Sequence, residues 1–94
     1  SQKPESRSGP QQQGAKKLSY KQKFALETLP GAIEALGEDV ARLEEKLADP
    51  LLYSRDAAAF SRLSKELDEK RSERARLEEE WLELEMLREE IEGR

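Results

Sequence analysis

The chain contains no cysteine and no histidine. Disulfides, Cys/His zinc sites and an imidazole general base are therefore excluded. Aromatic side chains are scarce, with one Trp, two Tyr and two Phe in 94 residues. Apolar residues make up 35% of the chain, too few for a deep closed core. No apolar run approaches the roughly 20 residues that a membrane span needs, and the opening residues do not read as a signal peptide. The pattern G-x-x-x-x-G-K-[ST] is missing, so nucleotide binding in the P-loop manner is excluded for these residues. Charge is what the sequence has in abundance. Asp, Glu, Lys and Arg reach 40%, against about 25% in an average globular domain. Ala, Glu, Lys, Leu and Arg together supply 58 of the 94 residues, above the roughly 50% typical of coiled coils and long helices. A cytoplasmic helical module is the class that remains, with no metal site and no cofactor of its own.

The net charge of −4 is segregated along the chain. Residues 1–23 carry Lys3, Arg7, Lys16, Lys17, Lys21 and Lys23 against Glu5 alone. Residues 77–94 carry eight glutamates against Arg88 and Arg94. A globally acidic chain repels phosphate, so nucleic acid can be held only by a local basic patch.

Residues 1–15 hold one apolar residue, Ala15, among Pro4, Gly9, Pro10, Gly14 and the Gln11–Gln13 run. Such a segment cannot offset the entropy of ordering, and it reads as a flexible linker joining an appended domain, 16–94, to a longer protein. Ser19 with Gln22 three residues on fits a capping box that opens a short helix over about 19–29. Tyr20 and Phe24 share a face of it. Pro30 is expected to end this helix and to begin a second, over about 30–48. In the second helix Ile33, Leu36, Val40, Leu43 and Leu47 follow spacings of 3, 4, 3 and 4, a heptad seam. Asp49-Pro50 stops it, 49–56 form a turn, and Asp56 caps a long third helix over about 57–92. The seam of that helix begins at Phe60, Leu63 and Leu67 and resumes at Leu77, Trp81 and Leu84. Between them Asp68–Arg76 is polar throughout apart from Ala75. It puts Lys70 and Arg74 on the seam, with stems packed and heads in water, or a π-bulge or stutter rotates Arg71 and Ala75 into their place.

These elements predict an all-α fold: an antiparallel two-helix coiled-coil hairpin with a short N-terminal helix packed at its base. Folding about residue 53 sets Leu47 against Phe60, Leu43 against Leu63 and Val40 against Leu67. The short helix is then expected to lay Tyr20, Phe24 and Leu29 on Leu77, Trp81 and Leu84. Each seam finds its partner within the chain, so a monomer is expected.

No catalytic constellation is present. The run Glu78-Glu79-Glu80 reads as a solvated helix face, and no serine has a candidate base. Tyr20, Phe24 and Trp81 read as core, since bases stack only on exposed rings. Tyr53, on the turn, either covers Leu52 or stands exposed. Two basic sets are the candidate nucleic-acid contacts: Lys16, Lys17, Lys21 and Lys23 at the base, and Arg55, Arg62 and Lys65 near the tip. The alternative for the base set is ion pairing with the glutamates of the third helix.

The strings Lys16-Lys17-Leu18-Ser19-Tyr20-Lys21, Leu29-Pro30, Leu47-Ala48-Asp49-Pro50, Leu52-Tyr53 and Trp81-Leu82-Glu83-Leu84-Glu85 together resemble the C-terminal domain of Uup-type ABC-F proteins. These are soluble ATPases with two tandem nucleotide-binding modules. The resemblance covers residues 16–88. It implies a coiled-coil hairpin, no catalysis in the domain itself, ATP-Mg held by modules outside this chain, and contact with DNA or ribosomal RNA. The competing implication is a structural arm that touches the parent ATPase modules in cis or a protein partner. The segment Ala48–Asp56 also resembles the hairpin turn of the N-terminal domain of peptide chain release factors. A further reading is a hairpin that probes an RNA polymerase channel with acidic residues at its tip, which Arg55 between Asp49 and Asp56 weakens.

Overall fold

A computed structural model of the chain describes residues 17–93. The linker assigned to 1–15, with Lys16, lies outside them. Three helices follow in order: α1 over Tyr20–Leu47, α2 over Leu52–Arg55 and α3 over Ala57–Ile91. α1 and α3 lie against one another as an antiparallel hairpin, and the single turn of α2 forms its tip.

The start of α1 is fixed by the capping box that the sequence announces. The Gln22 amide donates to Ser19 Oγ at 3.1 Å, and the Ser19 amide donates to Gln22 Oε1 at 2.9 Å. The helix does not end at Pro30. It runs for 28 residues with Pro30 inside, so the expected short N-terminal helix and its successor are one element. Proline removes the donor to the Leu26 carbonyl and costs about 3 kcal/mol or more inside a helix. Burial on both sides offsets that cost. The spacing of 3 and 4 continues upstream through Leu29 and Leu26 to Gln22. Leu29 and Leu36 are buried, and Leu26 and Ile33 are half-buried; a fully buried Leu contributes about 1.5–3 kcal/mol.

Continuity through Pro30 also corrects the packing expected at the base. From Tyr20 to Leu29 is nine residues, about two and a half turns at 3.6 residues per turn. Tyr20 therefore points away from α3 when Leu29 points toward it. Tyr20 is 81% exposed and Phe24 is 54% exposed, so neither covers Leu77, Trp81 or Leu84. Gln22, Ala25 and Leu26 hold the inward positions instead.

Toward the tip the two seams meet, although Phe60, set against Tyr53, is not among the residues packed on the buried cluster. Val40, Leu43 and Leu67 form the buried cluster, and Leu47 and Leu63 pack against it. Asp49 ends the turn after α1 by accepting the Leu51 amide at 3.0 Å and Arg55 Nη2 at 2.9 Å. Tyr53 stands mostly exposed yet meets Phe60 edge to face, with centroids 5.4 Å apart. Asp56 caps α3 by accepting the Ala59 amide at 3.0 Å. Gly93, at φ 80, lies just past the last turn, where a left-handed residue is commonly found.

α3 is an uninterrupted helix, so no bulge carries it through the polar stretch. Lys70 and Arg74 are half-buried on the seam, while Arg71 and Ala75 are exposed. α1 accommodates these cations. Lys70 Nζ lies 3.7 Å from Asp39 Oδ2, and Arg71 pairs with Glu44. The Arg74 guanidinium rests on Gly37, where an added Cβ would meet Cζ at 3.3 Å. The absent side chain at Gly37 is what gives a seam arginine its room. Arg74 Nε makes no hydrogen bond but lies 3.6 Å from Glu78 Oε2, which balances the charge.

Candidate nucleic-acid interface

The base set sits at the start of α1. Lys17 precedes the capping serine, and Lys21 and Lys23 lie in the first helical turn; all three are exposed. Lys16 lies outside the described residues. Around the helix, Lys21 and Lys23 fall on either side of the Tyr20–Phe24 ridge, since each residue advances the direction by about 100°. The two rings are offset-stacked, with centroids 6.3 Å apart and an interplanar angle of 26°. Lys17, Lys21 and Lys23 form no ion pair among the described residues, although α3 ends beside them in a glutamate-rich segment. Glu78 is engaged by Arg74 and Glu85 by Arg88, both within α3.

The tip set divides. Arg55 is committed to Asp49, and the hydrogen bond from its guanidinium, helped by the Leu51 amide, holds the Asp49 carboxyl below the usual carboxylate range. That pair shapes the turn, which leaves Arg55 less free to meet a phosphate. Arg62 and Lys65 are exposed on the first turns of α3 and form no ion pair among the described residues. Lys46, near the end of α1, is likewise exposed and unpaired, and belongs with this set. Lys46 lies one residue before a seam leucine, so its spacing alone gave no signal. The hairpin separates the two sets, because some twenty helical residues span about 30 Å. No phosphate backbone contact short of that length engages both.

Two features were not expected from the residue pattern. One is the exposed aromatic pair. Its signal was in the sequence: the heptad phase, carried upstream through Pro30, turns Tyr20 and Phe24 outward. The other is an apolar groove of about 420 Å³ between the helices at the base, lined by Pro30, Ile33, Glu78, Trp81 and Leu82. Trp81 lies at the base, as expected, but half-buried along a groove it lines with Pro30 and Ile33 instead of under Tyr20 and Phe24.

No cluster of three or more carboxylates among the described residues is arranged to hold a metal ion, and no described helix is long and apolar enough to cross a membrane. What the fold offers is elongated surface: a helical hairpin with a basic patch at each end, suited to contact and not to enclosing a substrate. Residues 17–86 match the family described as the ABC transporter C-terminal domain. The chain belongs to that family, and is an auxiliary C-terminal region of an ABC protein. No curated protein and no solved structure matches it.

Proposed function

We propose that this domain is the nucleic-acid-contacting arm of a Uup-type ABC-F ATPase, acting in the cytoplasm on DNA or ribosomal RNA. The single observation that carries the reading is the set of lysines at the base. Lys17, Lys21 and Lys23 are exposed and form no ion pair among the described residues, on a side of α1 turned away from the glutamates of α3. Cations left free in such surroundings are available to phosphate. The strings around Lys17–Lys21, Asp49-Pro50 and Trp81–Glu85 support the Uup-type assignment within the broader family. ATP and Mg belong to the ATPase modules of the parent protein, so this arm adds binding and not chemistry.

Three lysines can neutralise about three phosphates, which makes the slope of log K against log salt no steeper than about −3 on duplex DNA. The contact is to backbone, because no helix presents Arg or Asn from a frame that enters the major groove. The test is fluorescence anisotropy with labelled DNA and RNA at two salt concentrations, using paired charge reversals. Lys17→Glu with Lys21→Glu should abolish binding and leave the melting temperature unchanged. Arg62→Glu with Lys65→Glu should leave most of it. Loss in the second pair alone moves the contact to the tip. No binding by the wild type at low salt rejects the nucleic-acid reading.

A second reading is an arm that docks on the parent's own ATPase modules. The groove between Pro30, Ile33, Trp81 and Leu82 favours it, since an open apolar groove is the usual mark of a protein contact. Trp81→Ala separates the two, because it removes the groove wall without touching the lysines.

A further inference from the structure

Resting on the nucleic-acid reading, we propose that the outer face of α1 takes unpaired nucleotides: Tyr20 and Phe24 stack on a base drawn out of its neighbours, while Lys17, Lys21 and Lys23 hold the flanking phosphates. The heptad phase aims both rings away from α3, and nothing in the described fold covers them. Large rings at 81% and 54% exposure are costly to leave in water on a chain with only five aromatic residues. Their offset arrangement leaves ring surface open along one ridge, with a lysine to each side. This is the combination that binds single strands without sequence preference, aromatic faces for bases and cations for the backbone between them. A duplex keeps its base faces stacked internally and can offer the ridge only its phosphates.

Charge distribution favours a strand over a flat anionic surface such as a membrane. A planar surface that met Tyr20 and Phe24 would also meet Glu27, an exposed acid on the same face of α1 one turn farther on, and would find only two rings to bury. A single strand is narrow enough to follow the outer side of α1, a helix diameter of about 10 Å away from α3. DNA and RNA share the chemistry of an unpaired base beside a phosphate, so the ridge accepts either sugar.

The test uses the 94-residue chain with labelled ten-nucleotide dT and rU strands and a ten-base-pair DNA duplex at low salt. The single strands should bind at least fivefold tighter than the duplex, the lower end of what one base–aromatic stack supplies. Tyr20→Ala with Phe24→Ala should remove that advantage and leave duplex affinity and melting temperature unchanged, because both rings are exposed. Tyr20→Trp should keep it and Tyr20→Leu should lose it, which separates stacking from general apolar contact. A preference between dT and rU identifies the natural source, and the proposal stands with either. Equal affinity for strand and duplex, insensitive to the ring variants, overturns the stacking proposal while nucleic-acid binding survives. So does ring-dependent capture by anionic phosphatidylserine vesicles without strand preference. Failure to bind any of the three probes overturns both.

Discussion

Two glycines inside α1 allow the continuous helix and the place of Arg74 to be tested with the smallest possible change. Replacing Gly by Ala in a helix interior is worth about 0.8–1 kcal/mol from propensity alone. At Gly31 an added Cβ meets nothing within 4 Å. Gly31→Ala should therefore stabilise by about 1 kcal/mol, a rise of roughly 4–8 °C in Tm for a domain of this size. Gly37→Ala gains the same propensity but sets its Cβ 3.3 Å from Arg74 Cζ and 3.4 Å from Nη2. The guanidinium must shift by a few tenths of an ångström away from the contact it makes between the helices and Glu78. The net effect at Gly37 should fall near zero. In an Arg74→Ala background the obstruction is gone, and Gly37→Ala should recover the full gain. The double-mutant cycle should then read a coupling of about 0.5–1 kcal/mol, the range of residues in contact. Thermal and urea unfolding followed by circular dichroism at 222 nm measure all five proteins. Two results would contradict this arrangement. A neutral Gly31→Ala would mean that residue 31 sits at a helix boundary and that α1 is broken at Pro30. Equal gains at Gly31 and Gly37, with no coupling to Arg74, would mean that the guanidinium does not rest on Gly37.

Leu43→Ala should cost about 2–5 kcal/mol as a buried core truncation, and the half-buried Trp81 should cost less on the same change; urea unfolding ranks them, and the reverse order would put the main core at the base. The Asp49 carboxyl should titrate below its ordinary value of 3.8, since Arg55 and the Leu51 amide stabilise its charged form. A lowered folded-state pKa adds stability that is present above the ordinary value and lost as pH falls through the folded one. In Arg55→Ala the carboxyl should move back up toward 3.8, a change that NMR titration reads directly. Glu89→Gln with Glu90→Gln should strengthen nucleic-acid binding at 20 mM salt and change it little at 150 mM, read by anisotropy.

The hairpin, its turn and both caps were legible because they rest on local chemistry with short reach. Ser19 and Gln22, Asp49-Pro50 and Asp56 each act within three or four residues. The tip register was legible because two heptad seams of known spacing leave one way to fold about the turn. The path through Pro30 was not. Local rules for proline predict a break, and only the burial gained by a seam on both sides of residue 30 decides otherwise. That one tertiary override carried the aromatics with it. Assigned to a helix of their own, Tyr20 and Phe24 were free to face α3; phased with Leu26, Leu29 and Ile33, they cannot. The basic residues were found as a set from charge alone, but their division was hidden. Arg55 spends its charge on Asp49, six residues away across the turn, whereas Lys17, Lys21 and Lys23 keep theirs, and neither outcome follows from spacing.

An acidic protein that binds phosphate requires its charges to be separated by more than the distance over which they are felt. At physiological ionic strength that distance is about 8 Å. The hairpin supplies it without a large domain. The ridge of Tyr20 and Phe24 lies on the side of α1 opposite the seam, so a helix of about 10 Å diameter stands between it and α3. Within a screening length of the ridge Lys17, Lys21 and Lys23 outnumber the acid on that face, Glu27, a turn beyond Phe24; beyond it lie the glutamates of 78–90. At low salt the screening length grows to about 30 Å, the whole base is felt at once, and repulsion from α3 enters. The binding of such a patch should therefore fall less steeply with salt than its phosphate contacts alone dictate, because added salt removes a repulsion while it weakens the attraction. The same separation explains why the lysines form no ion pair with α3: the side of α1 on which they stand is the side that the carboxylates of α3 do not reach.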